Sequence, residues 1–545
     1  MKLRNIEFAY TSGGQEFSVT TTGSVRTDAA ALEIRSESGS LQIKLHAYHE
    51  IEITRLCAVY EYDFQKTERI FLNGYQSWTD SWERSINSRM HGLERVPKQI
   101  SDKYAFTQYG DYNFVKYSYL PGRLHGFSYG YIRRGNRFRF FGSLAEDSGF
   151  TIIRTDTRRN TVSFEKDCSG LHLRGDFDAM RLLLAEGPEA EVFDRYFDEL
   201  GVKLRPEAKP IFGYTSWYRH YQNISDRIIA EDLAGLRSQQ YQADVFQIDD
   251  GYQTAVGDWL SVNADKFPDG MKPVADSIRE AGMLPGIWMA PFAAEEHSAL
   301  CKAHPDWFVK NSDGSPVRGG SNWSGFYALD IYCPQVRDYL REVFRVVTKE
   351  WGFGLLKLDF LYAACIVPRR DKTRGQIMAD AMKFLREIAG DAFILGCGVP
   401  LASAFGRVDY CRIGCDVSLD WNDKPAMRLT HRERVSTRNT ILNSTFRRQL
   451  NGRAFLNDPD VFLLRSDQTE MSLEQKTCLG EINALTGGVL FTSDNAAQYE
   501  EAQCRLLTRL MHLREAKVIS AEISGGLLKV RFRWRGKLYV RVYPL

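Results

Sequence analysis

Across 545 residues no apolar run approaches the roughly twenty residues of a membrane-spanning helix. The opening stretch, MKLRNIEFAYTSGG, has no apolar segment of the sort that heads an exported chain. The net charge is +2, which leaves no excess of positive charge for nucleic acid or an anionic membrane. Ten cysteines are scattered without a CxxC pair, and the closest two, Cys411 and Cys415, have no histidine beside them. A zinc site is therefore disfavoured, and reduced thiols in a cytoplasm are the expectation. No metal or organic cofactor is expected, and the oligomeric state is not readable.

What is present is an ordinary globular composition, 43% hydrophobic and 26% charged, with a generous aromatic share of 12% that includes 10 Trp and 26 Tyr. Aromatics in that number fit large cores or stacking platforms for a ligand with apolar faces, such as a sugar ring. Composition does not choose between them. The length suits two or three domains.

Residues 1 to about 185 read as β structure. Segments such as SLQIKLHAYHEIEITRLCAVYEY, YNFVKYSYL, HGFSYGYIRR and RFRFFGSL are rich in Tyr, Phe, Val and Ile, alternate imperfectly and are broken by Gly or Asn. Many short strands with frequent turns predict a β-sandwich over residues 1–200. A helical stretch, EAEVFDRYFDEL, and a Pro-bearing connector, LRPEAKP, follow. Beyond them, short apolar strands alternate with helices, which predicts a parallel sheet. Eight strand candidates, IFGYTSW, DVFQIDD, GIWMAPF, LLKLDF, FILGCG, YCRIGCD, RAFLND and GVLFTSD, fit a closed (β/α)8 barrel over residues 208–515. The spacing is uneven, with a long connection after the third strand and a short one after the fifth. One helix, PQVRDYLREVFRVVTKEWG, starts at Pro334 and presents Val336, Leu340, Val343, Phe344 and Val347 on one face. A short C-terminal β segment is expected at 516–545.

Almost every barrel candidate ends in polar or aromatic residues, where barrel enzymes place their reacting groups. These are Trp217 and Tyr218, Asp249 and Asp250, Trp288, Lys357 and Asp359, Cys397, Arg412 and Asp416, Asn457 and Asp458, and Asp494. In LLKLDF, alternation sends Lys357 and Asp359 to one side. The pair reads either as a structural ion pair or as a carboxylate held ionised by its lysine, which is what a glycosidase nucleophile requires. A second acid must do the opposite and hold a proton near neutral pH. Asp416 is the candidate, although a salt bridge from Arg412 would depress it and argue against that role. Asp249 and Asp250 are adjacent and do not readily flank one bond, so substrate binding suits them better than catalysis, with metal ligation the lesser rival. Trp78, in FLNGYQSWTDSWE, sits by an Asn73–Gly74 turn and is a candidate to cover the barrel mouth.

These residues together resemble glycoside hydrolase family 36, the α-galactosidases, and more distantly the clan it shares with family 27. The matching motifs are NGYQSW at 73–78, TSWYRHY at 215–221, FQIDDGYQ at 246–253, GDWL at 257–260, PGIWMAPF at 285–292, HPDW at 304–307, KLDF at 357–360, ILGCG at 394–398, RIGCD at 412–416 and LNDPD at 456–460. The resemblance implies Asp359 as nucleophile, Asp416 as acid/base, and Asp249 and Asp250 as the pair that binds the galactose 4- and 6-hydroxyls. It also implies a subsite lined by Lys357, Arg412, Trp217, Tyr218, Trp288 and Cys397, reached by Trp78 from the first domain. The implied substrates are small α-galactosides. Thr215, Tyr75 and Cys415 depart from the commoner residues of that family, Cys, Trp and Pro.

Overall fold

The computed structural model describes every residue except 94–95, 109 and 426–434. Its N-terminal part is an antiparallel sheet of thirteen strands. Most of these strands are short, as expected, but one, Ser40–Glu61, runs for 22 residues and another, His172–Gly187, for 16. The first half of Ser40–Glu61 pairs with Ala30–Glu37 and His172–Gly187, and its second half with Lys2–Ser12 and Thr161–Lys166. Its imperfect alternation has a structural cause. Leu41, Ile43, Leu45, Ala47, Ile51 and Ile53 are buried, and then Leu56, Ala58 and Tyr60. The switch from odd to even positions falls at a register irregularity opposite Ala9–Tyr10, where an extra residue keeps the apolar face on the core. That core also takes in Ile6, Phe8, Ile153, Phe164 and Met180.

The helix Glu189–Leu200 buries Val192, Phe193, Tyr196 and Phe197, and stops where Gly201 takes a left-handed conformation. Then comes the barrel. Its strands are β1 (Ile211–Thr215), β2 (Val245–Ile248), β3 (Leu284–Met289), β4 (Leu355–Leu358), β5 (Phe393–Gly396), β6 (Tyr410–Arg412), β7 (Leu456–Asp458, resuming at Val461–Phe462) and β8 (Val489–Thr492). All neighbours are parallel, and β8 pairs with both β1 and the second half of β7, so the ring closes. Parallel strands covered on both faces are apolar along their length, and these are buried nearly throughout. The break in β7 falls at Pro459, which has no N–H for the ladder, and at Asp460, whose φ is 74°.

Local chemistry sets the helices between the strands. Pro334 occupies the first turn of Pro334–Arg345, whose buried face is Val336, Leu340, Val343 and Phe344. Thr373 with Gln376, and Ser472 with Gln475, form capping boxes for Arg374–Ala389 and Leu473–Thr486. The short connection after β5 holds a helix of only four residues, Leu401–Ala404. The long one after β3 forms its own antiparallel sheet of Ala293–Glu295, Arg318–Gly320 and Phe326–Ala328. Three antiparallel strands, Lys517–Ser524, Leu527–Trp534 and Lys537–Pro544, follow the last barrel helix, Glu501–Leu513. Tyr543 docks them by donating to the buried Glu481 of Leu473–Thr486 at 2.5 Å.

Candidate active site

The strand ends of β2, β3 and β4 build one half of the site. Lys357 is opposite Trp288 in the β3–β4 register, and Asp249 emerges one residue beyond the Ile248–Ile287 pair. The Lys357 ammonium donates to Asp249 Oδ2 at 2.7 Å, so the ion pair reaches from β4 to the end of β2 instead of joining Lys357 to Asp359. Burial is the largest influence and would raise the Asp249 carboxyl, but Lys357, joined by the Asp250 amide and Gln247, holds it below the ordinary carboxylate range. Thr215 adds a donor to the same oxygen at 3.3 Å and Gln247 another at 3.1 Å.

Asp359 follows β4. It accepts from the Phe360 amide at 2.7 Å and from Trp288 Nε1 at 3.2 Å. The reading in which Lys357 keeps Asp359 ionised below the usual range is corrected. Burial dominates and pushes the Asp359 carboxyl up; Lys357 pulls the other way, and the charge on Asp416 adds to the rise. Cys397, at the end of β5, bonds to Asp359, and burial beside that carboxylate holds its thiol well above the ordinary range. Asp250 has side-chain donors of its own, none shared with Asp249. It accepts from Trp323 Nε1 at 2.9 Å, Gln222 at 2.8 Å and Gln253 at 2.6 Å, and burial raises its carboxyl against those bonds.

The other half comes from β6 and β7. Arg412 is 3% exposed and shares one guanidinium among three carboxylates: Asp416 at 2.7 Å, Asp460 at 2.9 Å and Asp458 at 3.4 Å. Its cation is therefore not dedicated to Asp416, whose side chain is 40% exposed. Asp460 accepts from the Val417 amide at 2.8 Å and from the Tyr218 hydroxyl. Burial pushes the Asp460 carboxyl up to about 6, with Arg412 opposing.

Aromatic side chains wall the mouth. Trp288 packs on Trp259 and on Trp323, Trp323 on Phe360, and Phe360 edge-on against Trp78, which comes from the N-terminal sheet domain. Trp217, half-buried, is edge-on to Tyr221, one residue before Tyr218. Two members of this cluster, Trp323 and Asp460, are not among the strand-end residues that the sequence marks, although Asp460 closes the motif LNDPD. Among the described residues no group of three or more His, Cys, Asp or Glu side chains is arranged to hold a metal ion.

A closed parallel barrel that gathers carboxyl groups from β4 and β6 among aromatic walls at its C-terminal mouth has the arrangement in which glycoside hydrolases place their acids. Residues 202–382 match the family model described as Melibiase. That model spans about a third of the chain, which is similar there to the proteins of that family. TtGalA, the alpha-galactosidase from Thermus thermophilus solved with p-nitrophenyl alpha-D-galactopyranoside, superposes with a TM-score of 0.72 at 26% identity, over 99% of this chain and 98% of that one. "A type blood alpha-D-galactosamine galactosaminidase" of Flavonifractor plautii is 32% identical over 217 residues, 36% of this chain. "Alpha-galactosidase" of Escherichia coli is 31% identical over 174 residues, 30% of this chain. The matched segments span only 19% and 24% of those two proteins.

Proposed function

We propose that this protein is a retaining exo-α-galactosidase that removes terminal α-galactose from small galactosides by double displacement. Asp416 protonates the glycosidic oxygen while Asp359 attacks the anomeric carbon, forming a covalent galactosyl ester as the aglycone leaves. Asp416, now a carboxylate, takes a proton from water, which displaces Asp359 and releases α-galactose. The observation that carries this reading is the contrast between the two acids: Asp359 buried and held by fixed donors, Asp416 half-open to solvent at the same mouth. Asp249 and Asp250, each ordered by its own donors, accept from sugar hydroxyls in this reading, and Trp78, Trp217, Trp288, Tyr218, Lys357, Cys397 and Arg412 complete the subsite. The likeness to TtGalA over nearly the whole chain supports the galactoside as substrate. All ten cysteines are unpaired, which supports a cytoplasmic site of action, and no described helix is long and apolar enough to cross a membrane.

The test is chemical rescue. Asp359→Gly should lose hydrolysis of p-nitrophenyl α-galactoside and, with azide, yield β-galactosyl azide; an Asp359→Asn enzyme with wild-type turnover overturns the assignment. A second reading, an amino-sugar glycosidase on the same scaffold, draws on the Flavonifractor plautii relative. Comparing turnover of the galactoside and of the N-acetylgalactosaminide decides between them. Sugar acceptors outcompeting water would indicate a transglycosylase, and absence of all turnover a sugar-binding protein.

A further inference from the structure

Arg447 is one of the largest fully buried side chains of the protein, at 0% exposure, and it bonds to no carboxylate among the described residues. It follows the helix Thr437–Phe446 and donates in two directions. Toward the N-terminal domain, Nε bonds Asn73 Oδ1 at 2.9 Å, Nη1 the Ser77 carbonyl at 2.9 Å, and Nη2 the Gln76 carbonyl at 2.9 Å and Ser81 Oγ at 2.8 Å. Toward the barrel, the same Nη1 bonds the Ile413 carbonyl at 2.8 Å. Ser77 immediately precedes Trp78, and Ile413 lies three residues before Asp416. Asn443, one turn earlier, adds to the grip: its Oδ1 accepts from the Ser81 amide at 2.8 Å. A buried cation surrounded by carbonyls is costly unless every donor is used. Burial pushes this guanidinium down to about 10, whereas Arg412, among carboxylates, is raised.

The loop held in this way delivers Trp78. Its ring is edge-on to Phe360 with centroids 5.3 Å apart, and a Cβ added at Gly398 would come within 3.1 Å of it. Phe360 follows Asp359 and Gly398 follows Cys397, so Trp78 sits against the backbone that carries both. Trp78 Nε1 is buried and has no hydrogen-bond partner among the described residues.

We propose that Arg447 is a positioning residue which, acting through Trp78, fixes the loop of residues 73–81 over the sugar site and ties it to the exit of β6 that carries Asp416. The proposal rests on the reading of this mouth as the galactoside site. A lysine has no planar fork and cannot serve both directions at once.

The test is a double-mutant cycle in the full-length protein with Arg447→Lys, Trp78→Ala and both, read by kcat and KM on p-nitrophenyl α-galactoside and by amide hydrogen exchange without ligand. Arg447→Lys should lower kcat/KM by roughly tenfold to a hundredfold, as misplacement of a distant contact does. The double variant should be no worse than Trp78→Ala alone. Exchange should quicken in residues 74–81 while Arg374–Ala389 stays protected. Losses that multiply in the double variant, or unchanged exchange at 74–81, overturn the proposal. A wild-type protein that turns over no α-galactoside sinks the functional reading instead, and exchange then judges Arg447 alone. Should Arg447→Lys fail to fold, Asn73→Ala removes one acceptor and leaves Arg447 in place; it should show the same pattern more weakly, and normal exchange at 74–81 in that variant counts against the proposal.

Discussion

Lys357 stands between two carboxylates and serves them unequally. It bonds Asp249 directly and acts on Asp359 only through its field, which is enough to oppose, without cancelling, the rise that burial imposes. The sign of a substitution follows. Lys357→Met removes that opposition, so Asp359 climbs further and is less ionised at a given acidic pH. The acid limb of kcat/KM should move to higher pH, and KM should rise because Asp249 loses its partner. The pH profile checks this, and an acid limb that stays in place while KM alone changes contradicts it. The strand-end placement of Asp359 and Asp416 was legible in KLDF and RIGCD, since both motifs close apolar runs. The true partner of Lys357 was not. Asp249 is 108 positions away and two strands over, and only the parallel register of β2, β3 and β4 brings the two together.

At the scale of elements, the connection after β3 and the broken β7 do what the regular strands cannot. Both aim a side chain back across the mouth by leaving regular geometry. Trp323 and Ser324 are successive non-glycine residues at φ 52° and 66°, and Asp460 follows Pro459 at φ 74°. Such conformations cost of order 1–3 kcal/mol each and persist where surrounding contacts impose them. The eight strands and their helices were legible because period and breakers mark them; these excursions were not, because Asn-Trp-Ser carries no turn signal that requires a left-handed backbone. Trp323→Phe tests the value of the first excursion. The ring keeps its packing on Trp288, Phe326 and Phe360 but loses the donor to Asp250. Removing one bond to a buried carboxylate costs about 1.5–3 kcal/mol of stability, which in a protein of this size lowers the thermal midpoint by only a few degrees, while the loss of a fixed Asp250 should lower kcat/KM about tenfold, mostly through KM. A variant that melts early with normal KM assigns Trp323 to packing alone.

Across the whole molecule, the N-terminal sheet is not an appendage. One apolar cluster runs from Phe71, Phe127 and Tyr129 of the sheet through Phe193 of the connecting helix to Phe405 and the barrel strands, separate from the sheet's own inner core. The hydrophobic part of that joint follows from the alternating apolar residues, but its polar lock depends on two distant residues meeting. Arg374, at the start of the helix after β4, makes a two-point contact with Asp167 of the sheet domain at 2.8 and 2.9 Å and lies 3.7 Å above the Phe114 ring. Asp167→Ala leaves that buried guanidinium without its counter-charge, which should destabilise the protein by about 3–5 kcal/mol, whereas replacing both partners with apolar residues of similar size is close to neutral. The double variant Asp167→Leu/Arg374→Met should therefore melt near the wild-type midpoint and well above Asp167→Ala. A double variant as unstable as the single one would mean that the cost lies in the shape of the joint and not in the orphaned charge, and the apolar contacts around Phe114 would then be what holds sheet and barrel together.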